Sequence, residues 1–215
     1  MQRLIEGIHK FRDEEFGEYQ DLFQRLAHDG QHPHTLFITC SDSRVLAELI
    51  THSKPGDLFV VKNVGNIVPP ASIFGAPSST AAAIEFAIES LKVEDIVVCG
   101  HSQCGAMKAL MSDDTDWTGM RHVEDWLTLA IPVRDAVLLR YHHLTDAAER
   151  IDAAAEENVL YALENLKTYS SVTRGLEAGR LSLHGWFFKI ATAELFAYDP
   201  HVEQFAPLID PRGKT

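Results

Sequence analysis

The side chains able to do chemistry fall in two short segments. CSDSR (40–44) sets a thiol, Cys40, a carboxylate, Asp42, and a guanidinium, Arg44, within five residues. Further along, CGHSQCGA (99–106) carries His101-x-x-Cys104. If the fold joins the segments, two thiolates and one imidazole converge on one point. Three protein ligands with one position left over is the ligand count of a catalytic zinc site, whereas a structural site closes all four. Sulfur with nitrogen selects zinc over magnesium or calcium. The spacing alone also admits a plainer reading, because cysteines at strand ends are often packing residues. Asp42 and Arg44 can be read as a structural ion pair, but their closeness to Cys40 favours a catalytic role. Cys99, just before Gly100, reads as a small apolar filler. His184 reads as a satisfied core histidine or as a partner to a metal-binding side chain, and His142-His143 as a solvated pair.

These side chains must be positioned by regular elements. TLFIT (35–39), after Pro33, predicts a buried strand ending at Cys40. DLFVVKN (57–63) follows the turn signal Pro55-Gly56 and predicts a second strand. DIVVCG (95–100) predicts a third, stopped by glycine. LSLHGWFF (181–188) and ELFAY (194–198) predict two more. Residues 2–28 predict a long helix with Ile8, Phe11, Tyr19, Leu22 and Leu26 mostly on one face. Ile84, Ala87, Ile88 and Leu91 follow the i, i+3, i+4, i+7 pattern of a helix over 80–91, with Ser78 or Ser79 as its cap. Further helices are predicted from near Cys104 and over 131–142 and 156–168. Short apolar strands alternating with helices predict an α/β fold, a mostly parallel central sheet flanked by helices. Ligands of such sheets gather at the carboxyl ends of the strands. Cys40 ends the first strand, and His101 and Cys104 lie just past the third.

The chain has 215 residues, 46% apolar and 23% charged, without repeats or a linker, so a single domain (1–215) with a helical arm (1–28) is expected. A net charge of −12 argues against nucleic acid or an anionic membrane as partner. No apolar run reaches the length of a membrane span. The N-terminus lacks the apolar core of a signal peptide. Three cysteines, an odd number, fit a reducing cytoplasm better than a disulfide framework.

C-x-D-x-R followed by H-x-x-C-G resembles the signature of the β-class carbonic anhydrases. KNVGNIVPP (62–70), AAAIEFAI (81–88) and LSLHGW (181–186) resemble further blocks of that family, and the likeness runs over about residues 1–205. The resemblance implies Zn2+ held by Cys40, His101 and Cys104. It implies reversible hydration of carbon dioxide to bicarbonate and a proton, with zinc-bound hydroxide as the nucleophile. Asp42 would accept a hydrogen bond from that hydroxide, and Arg44 would hold Asp42 in place. In the family's closed state the same carboxylate becomes the fourth zinc ligand, which would make Asp42 a metal ligand too.

For the substrate, the resemblance implies Gln31 from a partner subunit, Phe59 and Val64 as an apolar wall, and the backbone N–H of Gly105. On residues alone Gln31 is an ordinary loop residue. Three departures stand out. Phe86 replaces a tyrosine of many relatives, Lys62 an arginine, and APSSTAAA (76–83) a glycine-rich approach to the helix. Phe37, Lys62 and Phe188 stand where another bacterial type binds inhibitory bicarbonate through tryptophan, arginine and tyrosine, so that site is expected to be absent. A homo-oligomer is implied, a dimer or a dimer of dimers, with the N-terminal helix packing on a partner subunit. A cytoplasmic location is expected, with a carboxysomal location and carboxysome components as partners left open. Two other readings stand beside hydration: hydrolysis of carbonyl sulfide or carbon disulfide, and a catalytically silent zinc-bearing scaffold subunit.

Overall fold

The structure, a computed structural model, describes residues 1–72 and 78–208. Its centre is a six-stranded sheet ordered β2-β1-β3-β4-β5-β6, made of β1 (Thr35–Cys40), β2 (Leu58–Asn63), β3 (Asp95–His101), β4 (Ser182–Lys189), β5 (Glu194–Asp199) and β6 (Gln204–Pro207). The first four strands in that order are parallel and the last two pair antiparallel. Every residue of β1 is buried. That is why its sequence is a continuous apolar run rather than an alternation: a central parallel strand is covered on both faces. Leu36 and Ile38 pack on one face with Ile84, Ile96 and Val159. Phe37 packs on the other with Val45, Val97 and Phe188.

The helices are α1 (Gln2–Lys10), α2 (Phe16–Asp29), α3 (Ala47–Thr51), α4 (Ser79–Glu85), α5 (Gly105–Met111), α6 (Arg121–Leu127), α7 (Ile131–Arg140), α8 (Ala147–Leu166) and α9 (Ser170–Glu177). The predicted helix over 2–28 is α1 and α2 joined by a wider π-helical turn at Phe11–Glu15, ending at Gly30 with φ 84°. None of its residues is buried, and Leu4 and Ile8 are each 67% exposed. The helix over 80–91 begins as α4, capped by the Ser78 hydroxyl, which accepts from the Ala81 amide, and ends as a π-helical turn at Phe86–Ser90. The helix expected at 156–168 starts earlier, at Ala147, where Asp146 accepts from the amides of Ala148 and Glu149. The sequence reading did not include α3, α6, α9 or β6. Residues 73–77 of the APSSTAAA approach and its surroundings lie outside the described residues.

Glycine does not stop β3, which continues through Gly100 to His101. Its role is to let α8 come close. A Cβ built on Gly100 would lie 2.8 Å from Val159 Cγ2 and 3.1 Å from the Ala155 carbonyl oxygen. Gly185 in β4 meets α8 in the same way, 3.0 Å from Leu163 and from Val159. Gly100→Ala is therefore expected to destabilise the chain by about 1–3 kcal/mol, read as a lower thermal midpoint, because α8 cannot retreat without unpacking Ala153, Ala154 and Ala155.

Candidate metal centre

Cys40 ends β1, His101 ends the neighbouring β3, and Cys104 caps α5 three residues on. Adjacent parallel strands thus deliver all three to one edge of the sheet. Their ligand atoms lie within 4.8 Å of one another, and all three residues are buried. Among the described residues this is the one such group. His101 is fully buried and its Nδ1 lies 2.9 Å from the Ser102 carbonyl oxygen. That oxygen can only accept, so Nδ1 carries the proton and Nε2 presents its lone pair. Nε2 is buried with no hydrogen-bond partner. A buried lone pair left bare costs about 1–3 kcal/mol, so the site is built for something that accepts electrons. Two sulfurs and one imidazole nitrogen suit zinc.

The two thiols do not ionise independently. Set against each other, the Cys104 thiol holds Cys40 below the ordinary thiol range and is itself held above it. Burial raises both, and the Gly65 amide, which donates to the Cys40 sulfur, pulls Cys40 further down. A cation held by both sulfurs would have to displace the thiol proton on binding.

Asp42 sits beside the cluster with its carboxylate engaged by Arg44. Oδ1 accepts from the Arg44 backbone N–H and Nε, both at 2.9 Å, and Oδ2 accepts from Nη2 at 2.8 Å. The guanidinium's hydrogen bonds hold Asp42 well below the usual carboxylate range. Oδ2 lies 4.0 Å from His101 Nε2. Here the carboxylate belongs to Arg44 and not to the ligand cluster. Arg44 is steadied in turn by the Gln103 carbonyl at 3.3 Å, and the Gln103 amide donates to Asp152 Oδ1 on α8 at 2.8 Å. Lys62 donates to the carbonyl oxygens of Asp42 and Val45 at 3.1 and 2.6 Å, clamping the 42–45 turn. Beyond Cys40, the Gly65 N–H donates to its sulfur at 3.4 Å. The loop carrying Gly65 is held by Trp126 Nε1 on the Val64 oxygen, 2.7 Å, and by Asn158 Nδ2 on the Gly65 oxygen, 2.8 Å.

The five residues expected at the substrate divide into two sets. Val64, 41% exposed, and Gly105, with nothing within 4 Å of a built Cβ, adjoin the cluster. Gln31, Phe59 and Phe86 do not. Phe59 pairs in register with Leu36, four residues before the Cys40–Asn63 level, which is roughly 13 Å along the strands. The Phe86 ring lies tilted against it, with centroids 5.9 Å apart, and is 47% exposed. Gln31 is exposed and precedes β1, at the same end. His184 is not a partner of the cluster, because its Nε2 lies 2.8 Å from Asp95, the first residue of β3, at the opposite end of the sheet. Nor is it a core residue, since its side chain is half-exposed. His142 and His143 are exposed, and Cys99 is fully buried with its thiol pushed up to about 12 by burial. Phe37 stacks edge-on against Trp186, and Phe188 is buried. Trp126, Asn158 and Asp152 went unread in the sequence. Only Trp126 had a signal, the helical spacing of Val123, Trp126, Leu127 and Ala130.

Residues 35–195 match the family model described as carbonic anhydrase. Over 206 residues the chain is 47% identical to a carbonic anhydrase of Synechocystis sp., covering 95% of this chain and 73% of that one. It is 42% identical to a carbonic anhydrase of Pseudomonas aeruginosa, covering 98% and 93%. Among solved structures it superposes on the beta-carbonic anhydrase CcaA with a TM-score of 0.92 at 45% identity, covering 98% and 93%. It superposes on a tetrameric beta-carbonic anhydrase of Sordaria macrospora with a TM-score of 0.80 at 31% identity, covering 91% and 95%.

Proposed function

The chain belongs to the β-class carbonic anhydrases, and from that membership we propose that it binds one zinc ion through Cys40, His101 and Cys104 and hydrates carbon dioxide reversibly to bicarbonate and a proton, with Asp42 and Arg44 as the catalytic pair. The observation that carries this reading is the bare, buried Nε2 of His101 within 4.8 Å of two cysteine sulfurs. A bound zinc ion supplies the Lewis acidity that makes water a usable nucleophile near neutral pH. The chain's own residues do the rest. Asp42, ionised by Arg44, can only accept a hydrogen bond. It would therefore accept a hydrogen bond from the O–H of the attacking oxygen without removing its proton, leaving a lone pair of that oxygen turned toward the carbon. Val64 offers an apolar wall for an uncharged linear substrate, and the Gly105 N–H a donor to its oxygen. The test is zinc content per chain together with stopped-flow hydration of carbon dioxide. One zinc per chain and turnover sensitive to chelation are the expected results, and an active protein free of metal would refute the reading. The hold of Arg44 on Asp42 argues against a silent scaffold shut by that carboxylate.

We further propose one domain across the chain and a homo-oligomer in which Gln31, Phe59 and Phe86 of one copy complete the pocket formed by Val64 and Gly105 of another. Supporting this, the two sets lie at opposite ends of β1 and β2, and the outer face of α1 and α2 is uncovered by its own chain. Within the described residues no helix is long and apolar enough to cross a membrane. A cytoplasmic location is part of the proposal. Subunit mixing tests the assembly. Cys40→Ser and Gln31→Ala, each nearly inactive alone, should recover about a quarter of wild-type activity when refolded together, because half the dimers are mixed and each mixed dimer holds one intact site. No recovery on mixing would place Gln31 outside the shared pocket.

A further inference from the structure

We infer that Trp126 is a positioning residue for the metal centre, holding the Val64–Gly65 peptide so that its N–H points at the Cys40 sulfur. This rests on the proposal that Cys40 is a metal ligand. A trans peptide is a rigid plane whose C=O and N–H point in opposite directions. The indole N–H of Trp126 donates to the Val64 oxygen at 2.7 Å, on one side of that plane. The Gly65 N–H donates to Cys40 Sγ at 3.4 Å, on the other. Fixing one end fixes the other, and the first bond polarises the second. The next peptide is anchored independently, by Asn158 on the Gly65 oxygen at 2.8 Å. Gly65 takes φ 78°, and a Cβ there would lie 2.9 Å from Ala106 Cβ. The loop is thus pressed against α5 and has no slack to find its pose unaided.

The chemical effect follows from the donor set. Two thiolates hand much negative charge to a cation and weaken it as a Lewis acid. An N–H aimed at one sulfur draws some of that density back, and such outer contacts tune metal sites. Trp126 reaches the sulfur from α6 through a peptide it does not belong to, so it touches neither ligand nor substrate.

The test replaces Trp126 in two ways. Trp126→Phe keeps an aromatic ring and removes the N–H. The non-natural β-(3-benzothienyl)alanine at 126 keeps the bicyclic shape and removes only the N–H. Each protein is loaded with cobalt(II), and its sulfur-to-cobalt absorption is compared with wild type alongside kcat, KM and the thermal midpoint. Expected are a shift of that band to longer wavelength, a fall in kcat of roughly tenfold, an unchanged KM and a near-native midpoint. A folded variant with the band in place and kcat within about twofold of wild type overturns the assignment. If wild-type protein shows no sulfur-to-cobalt band, the metal reading itself fails. If the wild-type band is present but insensitive to residue 126, only the role of Trp126 falls.

Discussion

Asp42→Asn is expected to keep its zinc and lose about 10²–10³-fold in kcat. Asparagine nearly preserves the shape of the side chain but swaps one acceptor oxygen for an NH2 donor. Arg44 presents only donors to residue 42, so the single remaining oxygen must face the guanidinium. The NH2 then faces the reacting oxygen and competes for the lone pair that should be aimed at carbon. Nothing in this change removes Cys40, His101 or Cys104, so metal content should stay near one per chain. The pH behaviour carries a sign. Arg44 holds the folded carboxyl below its unfolded value. The stabilisation from that pairing is therefore present above the ordinary carboxylate range and is lost only as pH falls through the depressed folded value. Across neutral and alkaline pH Asp42 does not titrate, so the variant should show a lower plateau with the wild-type midpoint. Zinc analysis with stopped-flow hydration across pH checks this. A variant within about threefold of wild type, or one stripped of zinc, would remove Asp42 from the role given it.

His101→Ala should do the opposite, losing the metal first and the activity with it. Removing one of three protein ligands is expected to weaken zinc binding by about 10²–10³-fold, with hydration falling to background. The second readout is thermal. A ligand that binds only the folded chain stabilises it by mass action, so chelation should lower the midpoint of wild type and leave the variant unmoved. Cys40→Ser, a smaller change in volume, should behave the same way. A variant that keeps full zinc and full rate would mean that the three side chains do not share an ion.

The part of the fold that was readable and the part that was not differ for a physical reason. Strands buried on both faces announce themselves as apolar runs, and TLFIT and DIVVCG led directly to neighbours in the sheet. Because both are parallel, Cys40 and His101 had to emerge at the same edge. Their convergence was legible in the sequence. The start of α8 was not. Ala153, Ala154 and Ala155 are buried because they let a helix lie close on Gly100 and Gly185, and small side chains give little apolar periodicity. The Asp146 cap was the available cue. The supports of the site were hidden in another way. Lys62, Asp152, Asn158 and Trp126 act on backbone atoms 17 to 93 residues away in sequence, and a backbone carbonyl or N–H pairs with any side chain of the opposite sense, so no residue pattern reports these contacts, even where helical spacing marks Trp126 itself. The substrate residues show a third case. Their types were recognisable from family resemblance, but only the register of β1 and β2 shows that Phe59 sits far from its own Cys40.

That last separation has a kinetic corollary. On the proposed reading, a lone chain carries a complete ionic centre and half of the cavity it serves, so turnover per chain is a function of how much protein is present. In dilute solution the rate should climb with the square of concentration and become linear once association saturates. Expression level alone would then act as a threshold, silencing the protein when scarce and switching it on when abundant, without any effector molecule.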